Sequence, residues 1–248
     1  MLKESVVCDK HTERIFKNTG TSPTNNRHFD KNGFLVIKNL TDPKDLLFDL
    51  SNLPKKSGAL GYYGTIEKFD YIESEDQVNG SLSRYNYPSY KHVHYQVKTK
   101  IEQIIGKRLY PTYYFDRFYY PGQKLTYHVD RPSCEISVSV NIQTNLDTPW
   151  PLFIRSVEAF DKDSKIILES GKVCDVNLEP GDGLLYKGCE RPHWREEMPT
   201  EYINTWYGKK VEKEGLFYHQ IFFHYVLQDG IRAHYAFDSP FLRMEGHQ

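Results

Sequence analysis

His128 and Asp130 stand two residues apart in the run Tyr119-Tyr120-Pro121-Gly122-Gln123-Lys124-Leu125-Thr126-Tyr127-His128-Val129-Asp130-Arg131-Pro132. On a strand, side chains at that spacing leave the same face, so an imidazole and a carboxylate can grip one metal ion. A third candidate, His193, follows a Pro-Gly-Asp turn and a short apolar strand in EPGDGLLYKGCERPHWRE, residues 179–196. Two histidines and one carboxylate leave roughly half of an octahedral shell open for small reactants. A histidine two residues before an aspartate is common in itself; the glycine turn and the strand around it give it weight. His219 and His224 on a later strand compete with His193. His92, His94, His219 and His234 otherwise read as hydrogen-bonded structural residues.

The positioning elements are short strands. From residue 110 to 238 the chain runs through PTYYFDRFYY, KLTYHVD, CEISVSVNI, PLFIR, KIILES, KVCDVNLEP, GLLYKG, HWREE and LFYHQIFFHYVL. Gly, Pro, Asp and Asn break these runs, which predicts an all-β sandwich or barrel. Upstream, Gly33–Leu40 reads as a buried strand. Thr41-Asp42-Pro43 opens a helix expected to run to about Leu53, and residues 54–88 read as loops with short strands. Val93, Val97, Ile101, Ile104 and Ile105 recur at helical spacing before Gly106, predicting an amphipathic helix over 90–105 that packs on a sheet. No internal repeat is visible.

The whole chain has 248 residues, with 32 Lys+Arg against 33 Asp+Glu. That balance argues against a basic nucleic-acid coat. Aromatic residues at 15% argue for a folded chain rather than a disordered one. No apolar run is long enough to span a membrane, and the charged first twenty residues lack the apolar core of a secretory signal. Cys8, Cys134, Cys174 and Cys189 are scattered, and are expected to be reduced thiols of a cytoplasmic protein.

With GFLVIKNL, YYPGQKLTYHVDRP, EPGDGLLYKGCERPHW and a closing strand in this order, the chain resembles the Fe(II)/2-oxoglutarate-dependent dioxygenases, in particular their prolyl-4-hydroxylase-like branch. The similarity in order covers roughly residues 30–238, with close motif matching confined to 117–141 and 179–226. The resemblance implies a mainly β double-stranded β-helix, or jelly roll, with supporting helices. Together with the pattern along the chain this gives one oxygenase domain over 1–248, in which polar residues 1–28 read as an irregular leader, 29–109 as a supporting strand and helices, and the β-rich run 110–238 as the core. It implies Fe(II) held by His128, Asp130 and His193, with 2-oxoglutarate and O2 as reactants and succinate and CO2 as coproducts. The substrate class would be a peptidyl, prolyl-like group or a small molecule hydroxylated at a C–H bond, with no membrane or nucleic-acid partner.

Members of that family commonly place a basic residue for the far carboxylate of 2-oxoglutarate on the strand after the distal histidine. Here FYHQIFFHYV contains no Arg or Lys. Arg195, two residues beyond His193, shares its face on a regular strand and offers a fork that matches a carboxylate. Its alternative is a surface salt bridge with Glu196 or Glu197; Lys209 and Lys210 are second choices. Ser137, Ser139 and Asn141 share one polar face of their strand, so Ser139 and Asn141 are candidates to line a diacid cavity, or else face water. Tyr120 and Gln220 complete the expected cosubstrate contacts. Residues 56–90 and 197–215 are the expected substrate-covering loops.

Two other functions stay open. A cupin-like metal- or sugar-binding jelly roll would keep the metal site without oxidising anything. A nucleic-acid demethylase on the same core would need a basic, aromatic-lined groove.

Overall fold

A computed structural model describes residues 29–47, 72–74, 77–156 and 171–238. In chain order the strands are β1 (Phe34–Ile37), β2 (Ile72–Ser74), β3 (Ser81–Tyr85), β4 (Leu109–Tyr119), β5 (Leu125–His128), β6 (Ile136–Thr144) and β7 (Leu152–Arg155). They continue as β8 (Val173–Val176), β9 (Gly183–Tyr186), β10 (His193–Arg195), β11 (Tyr202–Asn204), β12 (Lys210–Glu212) and β13 (Tyr218–Leu227). An α-helix, α1 (Lys91–Ile105), lies between β3 and β4.

Seven strands form the larger sheet in the order β1-β9-β6-β13-β4-β3-β2. Four form the smaller one, β5-β10-β7-β8, and among the described residues β11 pairs only with β12. Every pairing is antiparallel. Alternation along the large sheet sorts residues to two faces. Ile136, Val138, Val140 and Ile142 of β6 join Ile221, Phe223 and Tyr225 of β13 in a cluster against Val93, Val97, Ile101, Ile104 and Ile105 of α1. Burying each such aliphatic side chain contributes roughly 1.5–3 kcal/mol. The helix stops at Gly106, whose φ of 66° lets its N–H reach the Glu102 carbonyl. The opposite face meets the small sheet, with Tyr113, Phe115, Tyr119, Tyr218 and Phe222 packed on Leu125, Leu152, Ile154 and Val176. The candidate site lies between the two sheets.

Several expectations change. After Thr41 there is a short 3-10 turn, Pro43–Leu46, with Asp42 accepting from the Lys44 N–H. The remainder of the expected helix, the stretch KIILES, Cys8 and the 1–28 leader lie outside the described residues. Cys174 is disulfide-bonded, which corrects the expectation of four reduced thiols; Cys134 and Cys189 are free. Scattered spacing carries no pairing information, because a bridge needs only spatial proximity.

The segment expected as a substrate-covering loop at 197–215 contains the β11–β12 hairpin. It is tied to the turn after β4 through Gly122 N–H to Met198 O and Met198 N–H to Gln123 O. Glu201 and Lys213 fix it to Thr148, Asn145 and Asp147, beyond the end of β6. Ser137 at the other end of β6 bonds Asp130, so the hairpin sits about 23 Å of strand away from the candidate metal ligands. Among the described residues, no helix is long and apolar enough to cross a membrane.

Candidate metal centre

Antiparallel pairing of β5 with β10 sets His128 directly opposite His193. Asp130 lies just beyond β5, where its N–H donates to the Gly188 carbonyl. A Cβ at Gly188 would collide with the Asp130 carboxylate and the Cys134 carbonyl, so only glycine lets the β9–β10 connection approach this closely.

The two histidines are oriented alike. Nδ1 of His128 is 2.7 Å from the Thr126 carbonyl, and Nδ1 of His193 is 2.9 Å from the Arg191 carbonyl. A carbonyl can only accept, so each Nδ1 carries the proton and each Nε2 presents a lone pair. Both Nε2 atoms face the same oxygen, Asp130 Oδ1, at 3.7 Å and 3.5 Å. Those separations are too long for strong hydrogen bonds but suit atoms that share one ion through bonds of about 2.1 Å. The other oxygen, Oδ2, accepts from Ser137 Oγ at 2.8 Å, and Ser137 Oγ is 3.0 Å from His224 Nδ1. Ser137 has one proton; when Asp130 takes it, His224 must donate to Ser137. That relay turns Oδ1 toward the histidines, as outer partners of metal ligands commonly do.

Electrostatics agree with this assignment. Burial alone would raise the Asp130 pKa, but His193, the contact with His128, and His224 outweigh it and hold the carboxyl far below its usual range. Burial pushes His193 down to about 4, against the pull of Asp130 and with help from His128. At neutral pH the pair is therefore carboxylate and neutral imidazole, the forms that bind metals. A second grouping, Asp130, Cys134 and His224, shares the same carboxylate. Burial and Asp130 push the Cys134 thiol well above its usual pKa, which keeps it protonated and a poor ligand.

Arg195 points inward with His193 and is 1% exposed. Its Nη1 donates to the Trp150 carbonyl and its Nη2 to Gln220 Oε1 at 2.8 Å. The guanidinium lies 4.4 Å from the Trp150 ring centre and 4.5 Å from that of Tyr218. No carboxylate among the described residues pairs with it, so the surface salt bridge to Glu196 or Glu197 does not form. Arg195 Nε, Gln220 Nε2 and Asn141 Oδ1 are buried and make no hydrogen bond. Register explains their meeting, because Gln220 sits opposite Asn141 on one side of β13. Two residues of strand separate His193 from Arg195, roughly 7 Å, comparable to an extended five-carbon diacid. The orphaned polar atoms and the unpaired cation fit the far carboxylate of such a molecule.

Of the other expected residues, Ser137, Ser139 and Asn141 all face the interior rather than water, and Ser139 Oγ is 3.4 Å from Tyr186 OH. Tyr120 is not brought to the site. It packs on Leu82, Phe118 and Phe217, one residue out of phase with inward-facing Tyr119, and is corrected here. Lys209 and Lys210 are exposed on the distant hairpin. Sequence reasoning passed over Tyr186, whose ring centre is 4.7 Å from that of His193, and Tyr113, 4.6 Å from His224. It also passed over Gly188.

No family model matches the sequence, and no curated protein sequence does. Solved structures do resemble it. The non-heme alpha ketoglutarate dependent epimerase SnoN from nogalamycin biosynthesis matches with TM-score 0.55 and 8% identity, covering 87% of this chain and 81% of its own. EctD from S. alaskensis, with 2-oxoglutarate and 5-hydroxyectoine, matches with TM-score 0.53 and 14% identity over 84% and 77%. AviO1 from Streptomyces viridochromogenes Tue57 matches with TM-score 0.54 and 13% identity over 84% and 96%. Taken with the two antiparallel sheets, these likenesses establish the fold as a double-stranded β-helix.

Proposed function

We propose that this chain is a 2-oxoglutarate-dependent non-haem Fe(II) dioxygenase that hydroxylates a C–H bond of a small-molecule or peptidyl, prolyl-like substrate. One observation carries the reading: two imidazole Nε2 atoms and one carboxylate oxygen converge, and a buried arginine without a carboxylate partner lies one side chain along the same strand. Neither half alone would single out this chemistry. A jelly roll that only binds metal or sugar has no use for a buried guanidinium flanked by the unsatisfied Gln220 Nε2 and Asn141 Oδ1.

His128, Asp130 and His193 would hold Fe(II) and leave half of its shell open. Fe(II), when bound, supplies the oxidising chemistry that couples conversion of 2-oxoglutarate and O2 to succinate and CO2 with oxygen insertion. Arg195, with Gln220, would fix the far carboxylate, so the 2-oxo acid end reaches the metal in one orientation. The Trp150 and Tyr218 rings exclude water from that ion pair and strengthen it. Ser137 and His224 hold Asp130 in its ligating rotamer. Asp130 itself favours hydroxylation, since the related halogenases lack the carboxylate and use its place for halide. Two structural neighbours, an alpha ketoglutarate dependent epimerase and a protein with 2-oxoglutarate bound, support the cosubstrate without indicating a substrate for this chain.

The test is to incubate the Fe(II)-loaded protein with 2-oxoglutarate, O2 and libraries of metabolites and peptides, following succinate and product masses. The reading expects succinate formation stimulated by a substrate whose product gains one oxygen. A protein that retains Fe(II) yet neither binds nor consumes 2-oxoglutarate would overturn it in favour of a metal-binding jelly roll.

A further inference from the structure

Arg117 is a second buried cation between the sheets, 2% exposed on β4. Its five N–H groups are poorly served. Nε donates to Ser83 Oγ at 2.9 Å, but Nη1 reaches Tyr119 OH only at 3.4 Å and Gln77 Oε1 at 3.5 Å, and Nη2 reaches the same Gln77 oxygen at 3.4 Å. All three partners are neutral. Among the described residues, no carboxylate lies within ion-pair distance. A guanidinium removed from water without an anion is costly, and interiors retain such groups when they are paired or bind something.

Arg117 is not a duplicate of Arg195. It stands opposite Gln220 across β4 and β13, yet Gln220 turns its oxygen to Arg195. Arg117 leans the other way, toward Ser83 on β3. Aromatic rings fill the path between the two guanidinium groups: Arg117 lies 5.6 Å from the Tyr119 ring, Tyr119 is 5.1 Å from Trp150, and Trp150 is 4.4 Å from Arg195. A five-carbon diacid has two carboxylates, one for the metal and one for Arg195. None is left for Arg117.

We infer that Arg117 is the anion subsite for the primary substrate, which is a small molecule carrying a carboxylate several bonds from the carbon that reacts. This rests on the proposed oxygenase reading and narrows its substrate class. The spacing follows from the strand. Tyr113, beside His224 near the metal ligands, and Arg117 are four residues apart on β4, or about 13 Å, part of which the arginine side chain spans. Ser83, Gln77 and Tyr119 orient the guanidinium so that Nη1 and Nη2 can exchange weak neutral contacts for a bidentate pair with the acid.

The test uses straight-chain carboxylates from acetate to octanoate, each beside its primary amide, added to anaerobic Fe(II)-loaded protein saturated with 2-oxoglutarate. Saturation occupies Arg195 first. Thermal stabilisation reads binding, and 2-oxoglutarate affinity is titrated separately. The wild type should be stabilised by at least one carboxylate and not by its amide. Arg117→Gln should lose that stabilisation while its 2-oxoglutarate dissociation constant stays within about threefold. Arg117→Lys, a milder change that keeps the charge, should retain part of the response. Absence of any acid-over-amide preference in the wild type would overturn the inference while leaving the oxygenase reading intact. So would an unchanged preference in Arg117→Gln, or a large loss of 2-oxoglutarate affinity there, which would assign Arg117 to the cosubstrate. If both variants fail to fold, Arg117 is structural and the inference is rejected. Failure of the wild type to bind 2-oxoglutarate strikes the oxygenase reading itself.

Discussion

Neighbouring residues of β4 face two buried environments with opposite designs. On the outer face, Asp116 receives both Arg84 Nε and Nη2 at 3.1 Å and His219 Nε2 at 2.9 Å, and Arg84 also donates to Tyr90 OH. That network contains its own anion. On the inner face, Arg117 and Arg195 are equally buried but have only neutral partners. The same fold thus closes one set of buried charges and leaves another open. Breaking a closed network leaves a buried charge uncompensated, whereas an open buried cation marks a place for a ligand.

The comparison can be broken most sharply at Arg195. Truncating one member of a buried charge pair typically costs about 3–5 kcal/mol, or two to four decades of affinity. Arg195→Ala should weaken 2-oxoglutarate binding by that much while Fe(II) still binds, and Arg195→Lys should recover only part, lacking the fork. By contrast, Arg195→Met orphans two neutral acceptors, the Trp150 carbonyl and Gln220 Oε1, but no internal anion, and should cost the ligand-free protein less than breaking a charge pair does. A melting temperature far below the wild type's in Arg195→Met would show that Arg195 belongs to the structure. The outer face should respond in reverse. Asp116→Asn leaves Arg84 buried without its charge partner and should cost about 3 kcal/mol in denaturant unfolding. Its 2-oxoglutarate affinity, measured on the folded fraction, should not move.

A smaller effect comes from His94, which lies under the outer face with Nε2 3.2 Å from the His224 carbonyl. Burial pushes its pKa down to about 3 from the usual 6.5. Between those values the unfolded chain binds a proton that the folded chain refuses, so its contribution is complete above about pH 6.5 and is lost as pH falls toward 3. Melting temperature should therefore decline from pH 7 to pH 5, and His94→Gln should flatten that slope. An equal slope in the variant would remove His94 as the cause.

Legibility in the sequence followed periodicity. The helix over Lys91–Ile105 was readable because its apolar residues recur against polar ones and Gly106 ends it. Strands β6 and β10 were readable because small polar or charged residues alternate with apolar ones, which also placed Ser139, Asn141 and Arg195 on the inner face. The run PTYYFDRFYY defeats that logic. Aromatic residues occupy both faces of β4, so nothing in the pattern says which tyrosine points inward. Tyr120 was chosen where Tyr119 is the interior residue, and Arg117 went unnoticed. The β11–β12 hairpin was missed because its strands are mostly exposed and carry no buried stripe. The Ser137–His224 relay depends on register between β6 and β13, which no local pattern encodes.

The central claim is that His128, Asp130 and His193 hold one Fe(II) on which 2-oxoglutarate can chelate. The most direct measurement is an anaerobic titration of the protein with Fe(II) and then 2-oxoglutarate, following the visible charge-transfer band of a 2-oxo acid chelating Fe(II). The account predicts one band per chain at one equivalent of metal in the wild type, and no band in a folded Asp130→Ala protein. An absent band in the wild type, or an undiminished one in Asp130→Ala, would contradict it.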